Sequence, residues 1–221
     1  MADPGKYSGR LISIDGSRGR DVTRAADDAA AVLKRGGVEC AISRWDASGL
    51  FTDLAAGGGD RHISIRTLSL VFAADLAFRL RWEIRPVLEA GGVVIAAPYV
   101  DTAVAFGAAF GLDEEWLTAL MRFAQPADFR GRAPERKVHR PLRQRIDRGY
   151  AEFGALMLDA AAPKRASKAA RRRMIASLEE ARGRRVVHLT GKGIAALAKA
   201  LTGSRRAAAR RSPAQPRSAR T

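Results

Sequence analysis

The 221-residue chain carries 39 Lys and Arg against 23 Asp and Glu, a formal charge of +16, with 47% hydrophobic residues and a single cysteine. That length suits one α/β domain with a sizeable core, and Cys40 standing alone excludes a disulfide framework and suits a reducing cytosol. No apolar run approaches the ~18 residues of a membrane span and no signal-peptide pattern opens the chain, so the expectation is a cytoplasmic protein with no membrane partner.

In chain order, residues 1–9 are a lead-in. The stretch 11–24, LISIDGSRGRDVTR, reads as a strand, a glycine turn and the start of an alanine-rich helix, which Gly36 and Gly37 end. Residues 38–45 (VECAISRW) form a second, mostly buried strand, and 46–62 a loop with three consecutive glycines. A long helix spans 67–89, its apolar residues Leu68, Phe72, Leu76, Leu80 and Ile84 recurring at a four-residue step. Pro86 bends or tightens its last turns, Gly91 and Gly92 stop it, and 93–97 (VVIAA) is a third buried strand. Asp113 caps another helix, closed by Gln125 and Pro126.

Behind Asp128 the character changes. Residues 1–128 hold 14 Lys and Arg against 17 Asp and Glu, whereas 129–221 hold 25 against 6, so all the excess charge lies in the second part. Residues 149–162 and 166–181 are helix-like, 186–190 (VVHLT) is a last short strand and 194–201 a last helix. Residues 203–221 cannot bury a core and are expected to be a disordered basic tail. Strands alternating with helices predict a mostly parallel sheet covered on both faces. Such a charge division points to a polyanion, including a weak nonspecific hold on nucleic acid, or simply to a solvated extension.

The turn after the first strand stands where a phosphate-binding loop is credible, but its chemistry is altered. The pattern G-x-x-x-x-G-K-[ST] falls on Gly16, Asp21, Val22 and Thr23, so only the first glycine and the hydroxyl match. Val22 supplies none of the lysine's charge. Asp21 puts a carboxylate where phosphate should approach, and two unit charges ~4 Å apart repel by about 4 kcal/mol at an intermediate dielectric. The candidate nucleotide-binding residues are Gly16, Ser17, Arg18, Gly19, Arg20 and Thr23, with Arg18, Arg20 and Arg24 available to compensate. The other reading is a purely structural strand, turn and helix with solvated arginines. His62, His139, His188 and Cys40 have no metal-ligand spacing.

Four stretches together resemble the thymidylate kinase family of P-loop nucleoside-monophosphate kinases. They are IDGSRG, SRWDAS, LSLVFAADLAFRLRWEIRPVLEAGGVVI and APYVDTAVAFGAAFGLDEEWLTALMRFAQPAD. The resemblance is clear over about residues 10–128 and loose over 144–202. It implies a three-layer P-loop NTPase-like α/β domain over 1–202, ATP and magnesium as cosubstrates, dTMP as acceptor and often a homodimer. By the same resemblance Asp15, Arg44, Phe72 and Tyr99 are acceptor-site-like, Phe72 at the base-stacking position. Residues 129–148 are an arginine-rich lid-like segment, with Arg130, Arg132, Arg136 and Arg143 in reach of a phosphate. The fourth strand is shortened or deleted, so that the sheet closes directly on the last strand. The family's Asp-Arg pair after the third strand falls on Ala97 and Pro98. With the changes at Asp21 and Val22, that removes charge on which phosphoryl transfer depends. The expectation is a pseudoenzyme that binds a nucleotide or a protein partner. The alternatives are an active kinase with arginines replacing the lysine, and a nucleic-acid-associated protein.

Overall fold

The computed structural model describes residues 7–51, 53, 64–134, 164–180, 186–188 and 192–201. Five strands form one parallel sheet in the order β2-β3-β1-β4-β5. They are β1 (Arg10–Asp15), β2 (Cys40–Arg44), β3 (Val93–Ala97), β4 (Phe129–Arg132) and β5 (Val186–His188). The central strands β1 and β3 are buried along nearly their whole length because helices cover both of their faces, and β3 is accordingly a continuous aliphatic run. On one side lies α1 (Gly19–Arg35). Its Ala25, Ala26, Ala29 and Leu33 pack on Ile12, Ile14 and Ile95, joined by Ile194, Leu197 and Leu201 of a helix over 192–201.

On the other side lie α2 (Ile65–Arg79), α3 (Val100–Ala109), α4 (Glu114–Leu120) and α5 (Lys164–Glu180). Ser64 caps α2 by accepting a hydrogen bond from the Thr67 N–H at 3.0 Å, and Asp113 caps α4 through the Trp116 N–H at 2.7 Å. Helix α2 continues through a π turn, Leu80–Ile84, into Arg85–Glu89. The turn before Pro86 widens rather than tightens. Proline lacks an N–H and its ring crowds the carbonyl four residues back, and the wider turn makes room for it. All five residues of the four-residue step are buried.

Three expectations need correction. Strand β2 is only half buried, because it is the sheet's edge, a property of strand order that its own composition does not carry. The fourth strand is short but present, between β1 and β5, so the sheet does not close directly on the last strand. Arg130 and Arg132 therefore lie on β4 and not on a lid, since the register with Ile12 to Asp15 draws FRGR into the sheet. Helix α3 adds to the expected elements. Arg136, Arg143, the helix-like stretch 149–162 and the tail 203–221 lie outside the described residues. Among the described residues no helix is long and apolar enough to cross a membrane.

Candidate functional site

The loop after β1 holds three residues, Gly16, Ser17 and Arg18, before α1 begins at Gly19. Arg18 occupies the N-cap position with extended backbone, and its carbonyl accepts the N–H of Asp21 at 3.1 Å and of Val22 at 3.0 Å. The helix is thus wound from Arg18 onward. In a phosphate-binding loop the corresponding N–H groups would point at an anion. Here two of them are spent on the chain's own carbonyl. Asp21, 5% exposed, puts a carboxylate in the first turn, where it complements the positive end of the helix dipole in an anion's stead.

The side chains repeat the pattern. Val22 is buried and leans over the turn: a Cβ on Gly16 would meet Val22 Cγ2 at 2.9 Å and Ala133 Cβ at 3.1 Å. Thr23 donates its hydroxyl to the Gly19 carbonyl at 2.9 Å, and the Gly16 N–H donates to Thr102 Oγ1 at 3.2 Å.

Asp15 closes β1 and organises the neighbouring turn. Its Oδ1 accepts from the Tyr99 N–H at 2.8 Å, the Thr102 N–H at 3.0 Å and the Thr102 hydroxyl at 2.7 Å, while Oδ2 has no hydrogen-bond partner. Burial, and then the nearby Asp101 carboxylate, push Asp15 from the ordinary 3.8 up to about 6, against the hydrogen bonds from Thr102 and Tyr99. Burial likewise raises the Tyr99 phenol, whose hydroxyl donates to the Gln125 carbonyl at 2.8 Å.

The structure brings Asp15, Gly16 and Tyr99 together and sends the other acceptor-like residues elsewhere. Arg44 pairs with Asp27 on α1. Phe72, 1% exposed, lies in the core cluster that also contains Trp45, Phe51 and Phe106. Trp45 meets Phe51 edge to face at 5.0 Å. Asp75 fastens the 45–51 segment onto α2 by accepting from the N–H groups of Asp46 and Ser48 and from the Ser48 hydroxyl. Arg130 binds Asp101 at 2.5 Å, and Arg132 is half-buried at the end of β4.

Sequence reasoning did not single out Arg79. Its guanidinium is fully buried beside the substituted pair Ala97-Pro98, donating to the Ser43 hydroxyl, the Ser43 carbonyl and the Pro98 carbonyl at 2.9–3.0 Å. An arginine inside an apolar helix stretch, immediately before the π segment, was the signal for it.

The strand order, the helices on both faces and the glycine turn after the first strand define a three-layer, doubly wound α/β protein of P-loop NTPase type. Comparison with known proteins narrows that class. The chain is 47% identical over 66 residues to a probable thymidylate kinase of Thermococcus kodakarensis, covering 30% of this chain and 32% of that protein. It is 29% identical over 120 residues to a probable thymidylate kinase of Sulfurisphaera tokodaii, covering 53% and 60%. It is 31% identical over 118 residues to a thymidylate kinase of Rhizorhabdus wittichii, covering 51% and 56%. Over these stretches the chain is similar to thymidylate kinases, and its matches span from about a third to three-fifths of the length of these relatives. No family model matches it.

Proposed function

We propose that this protein is a thymidylate-kinase-like pseudoenzyme, keeping the kinase fold to bind a nucleotide or a protein partner without efficient phosphoryl transfer. One observation carries the reading: the first turn of α1 is already closed on itself, with Asp21 and Val22 donating to Arg18 and the Val22 side chain over Gly16. The residues present do not fit a triphosphate with magnesium. The position of the charged lysine is an apolar contact, the Thr23 hydroxyl is turned to a backbone carbonyl, and Ala97 and Pro98 offer no side-chain charge. Phosphoryl transfer works almost wholly through positioned charge, so these losses fall on catalysis first.

The test is a pair of calorimetric titrations, with ATP–magnesium and with dTMP, alongside an ADP-release assay. Binding of one of them without turnover is the expected result. Turnover of about one per second or faster, ordinary for such kinases, would overturn the reading. If that turnover then vanishes in Arg18→Ala and Arg20→Ala, arginines have replaced the lysine.

For the partner, a second copy of this chain is favoured by a specific surface. Leu70, Phe78 and Trp82 are 48%, 40% and 62% exposed along the outer face of α2 and its continuation, at positions separated by multiples of four residues. An apolar stripe of that length is of the kind that marks a protein interface.

A further inference from the structure

We propose that a cavity lined by α3, α4 and the 121–127 turn is a binding site for an uncharged, largely apolar ring compound carrying one hydrogen-bonding group. It is distinct from the loop after β1. The cavity measures about 510 Å³, within the range of about 300–1,000 Å³ that holds drug-sized ligands.

Its origin lies in a row of small residues across the sheet. Successive strand residues face opposite ways, so Ile12 and Ile14 point toward α1 while Leu11 and Ser13 point toward α3. In register beside Ser13 stand Ala96 on β3 and Arg130 on β4. Where a leucine would fill the layer, Ser13 leaves it short, and Ala105, Ala124 and Ala127 add further small side chains to the lining. Val100, Val104 and Met121 complete an aliphatic lining. The turn carrying Gln125 is held in place by the Tyr99 hydroxyl, so the wall exists before any ligand arrives.

Two features select the ligand. Ser13 is 2% exposed and borders the cavity, so its hydroxyl stands where a ligand's polar group would meet it. A ligand's polar group placed against that hydroxyl gains a hydrogen bond in a largely apolar setting. The rim carries Asp101 and Glu114 against Arg122 and Arg130, with Asp101 and Arg130 already paired. Those charges cancel, so a phosphorylated ligand gains no net attraction there and a neutral one loses nothing. The cavity's lining includes neither Phe72 nor any residue of the loop 16–18.

Nile red, an uncharged ring dye with one carbonyl acceptor, is the probe, titrated into the full chain with its emission followed. Expected is saturable one-site binding, unmoved between low and high salt and not displaced by millimolar dTMP. Thr118→Trp at the mouth and Val104→Phe in the wall each weaken it tenfold or more, and Ser13→Ala weakens it several-fold. Circular dichroism identifies a variant that has not folded, and Thr118, on the surface of α4, keeps the test alive should Val104→Phe fail. Trp82→Ser leaves the titration unchanged. Absence of saturable binding, or its loss in Trp82→Ser with survival in Thr118→Trp, overturns the proposal. So does displacement by dTMP, which would assign the cavity to the nucleotide site.

Discussion

Val22 stands over Gly16, its Cγ2 2.9 Å from where a Cβ on that glycine would lie, so the residue in the lysine's position closes the turn it should serve. Restoring the lysine alone is therefore expected to fail. Val22 is 1% exposed among Ile14, Ala25 and Ala26, and an ammonium placed there must either be buried uncharged or break the packing. Val22→Lys should cost roughly 2–4 kcal/mol of stability in urea unfolding and yield no dTMP-dependent ADP release. Recovery of turnover by this single change would show that the loop opens readily and that its closed form is incidental.

Strands β1 and β3 were legible because burial on both faces fills them largely with aliphatic residues, Leu11, Ile12 and Ile14 in the one and all five of VVIAA in the other, a pattern carried by each strand alone. Strand β4 was not. FRGR has no apolar alternation, and it is a strand because β1 and β5 supply its pairing, so its identity resides in residues far from it along the chain. The site divides in the same way. Asp15, at the end of β1, accepts the N–H of Tyr99, just past the end of the adjacent β3. Arg44 pairs with Asp27 and Phe72 is buried in the core cluster that also holds Trp45, Phe51 and Tyr99, neighbours that are set by how the chain packs. Residue type at a matched position carries chemistry only when nothing nearby uses it first.

Arg79 is expected to be among the most sensitive residues in the described fold. It ties β2 to the turn after β3 through three hydrogen bonds, and Ser43 passes the connection on to Glu83 at 2.7 Å. Arg79→Met would leave the Ser43 and Pro98 carbonyls without this donor and the buried Asp75 without its nearby cation at 4.0 Å. A loss of about 3–5 kcal/mol follows. Arg79→Lys keeps the charge but cannot reproduce a planar fork, so it should recover only part of that loss. Equal stability of Arg79→Met and the parent chain in urea would refute the structural role.

Asp15 gives the protein a pH dependence of unusual sign for a carboxylate. Its folded value of about 6 lies above the unfolded 3.8, so between those values the folded state holds more protons than the unfolded one. The contribution is fully present below pH ~4 and is lost as pH rises through about 6, on the order of 2–3 kcal/mol in total. Asp15→Asn keeps an oxygen for Tyr99 and Thr102 but cannot ionise. Its stability relative to the parent chain should therefore climb from pH 4 to pH 7, whatever the other carboxylates do. Parallel curves for the two proteins would contradict the burial of a charge at this position.

The outer face of α2 supplies the last prediction. Leu70, Phe78 and Trp82 sit on successive turns of one surface with Ala74 between them, and Arg81 lies 5.1 Å from the Trp82 ring. From Leu70 to Trp82 the helix rises roughly 18 Å, and a face of that length, doubled by a two-fold axis, suits an interface of about 800 Å² per partner. A two-fold pairing brings the same stripe from both copies together, so one charged residue is introduced twice at the seam. Trp82→Arg should convert a dimer to a monomer in sedimentation velocity while leaving the circular dichroism unchanged, because the side chain is 62% exposed and contributes little to the core. Phe78→Arg should do the same. If the parent chain sediments as a monomer up to tens of micromolar, or both variants stay dimeric, the stripe does not join two copies.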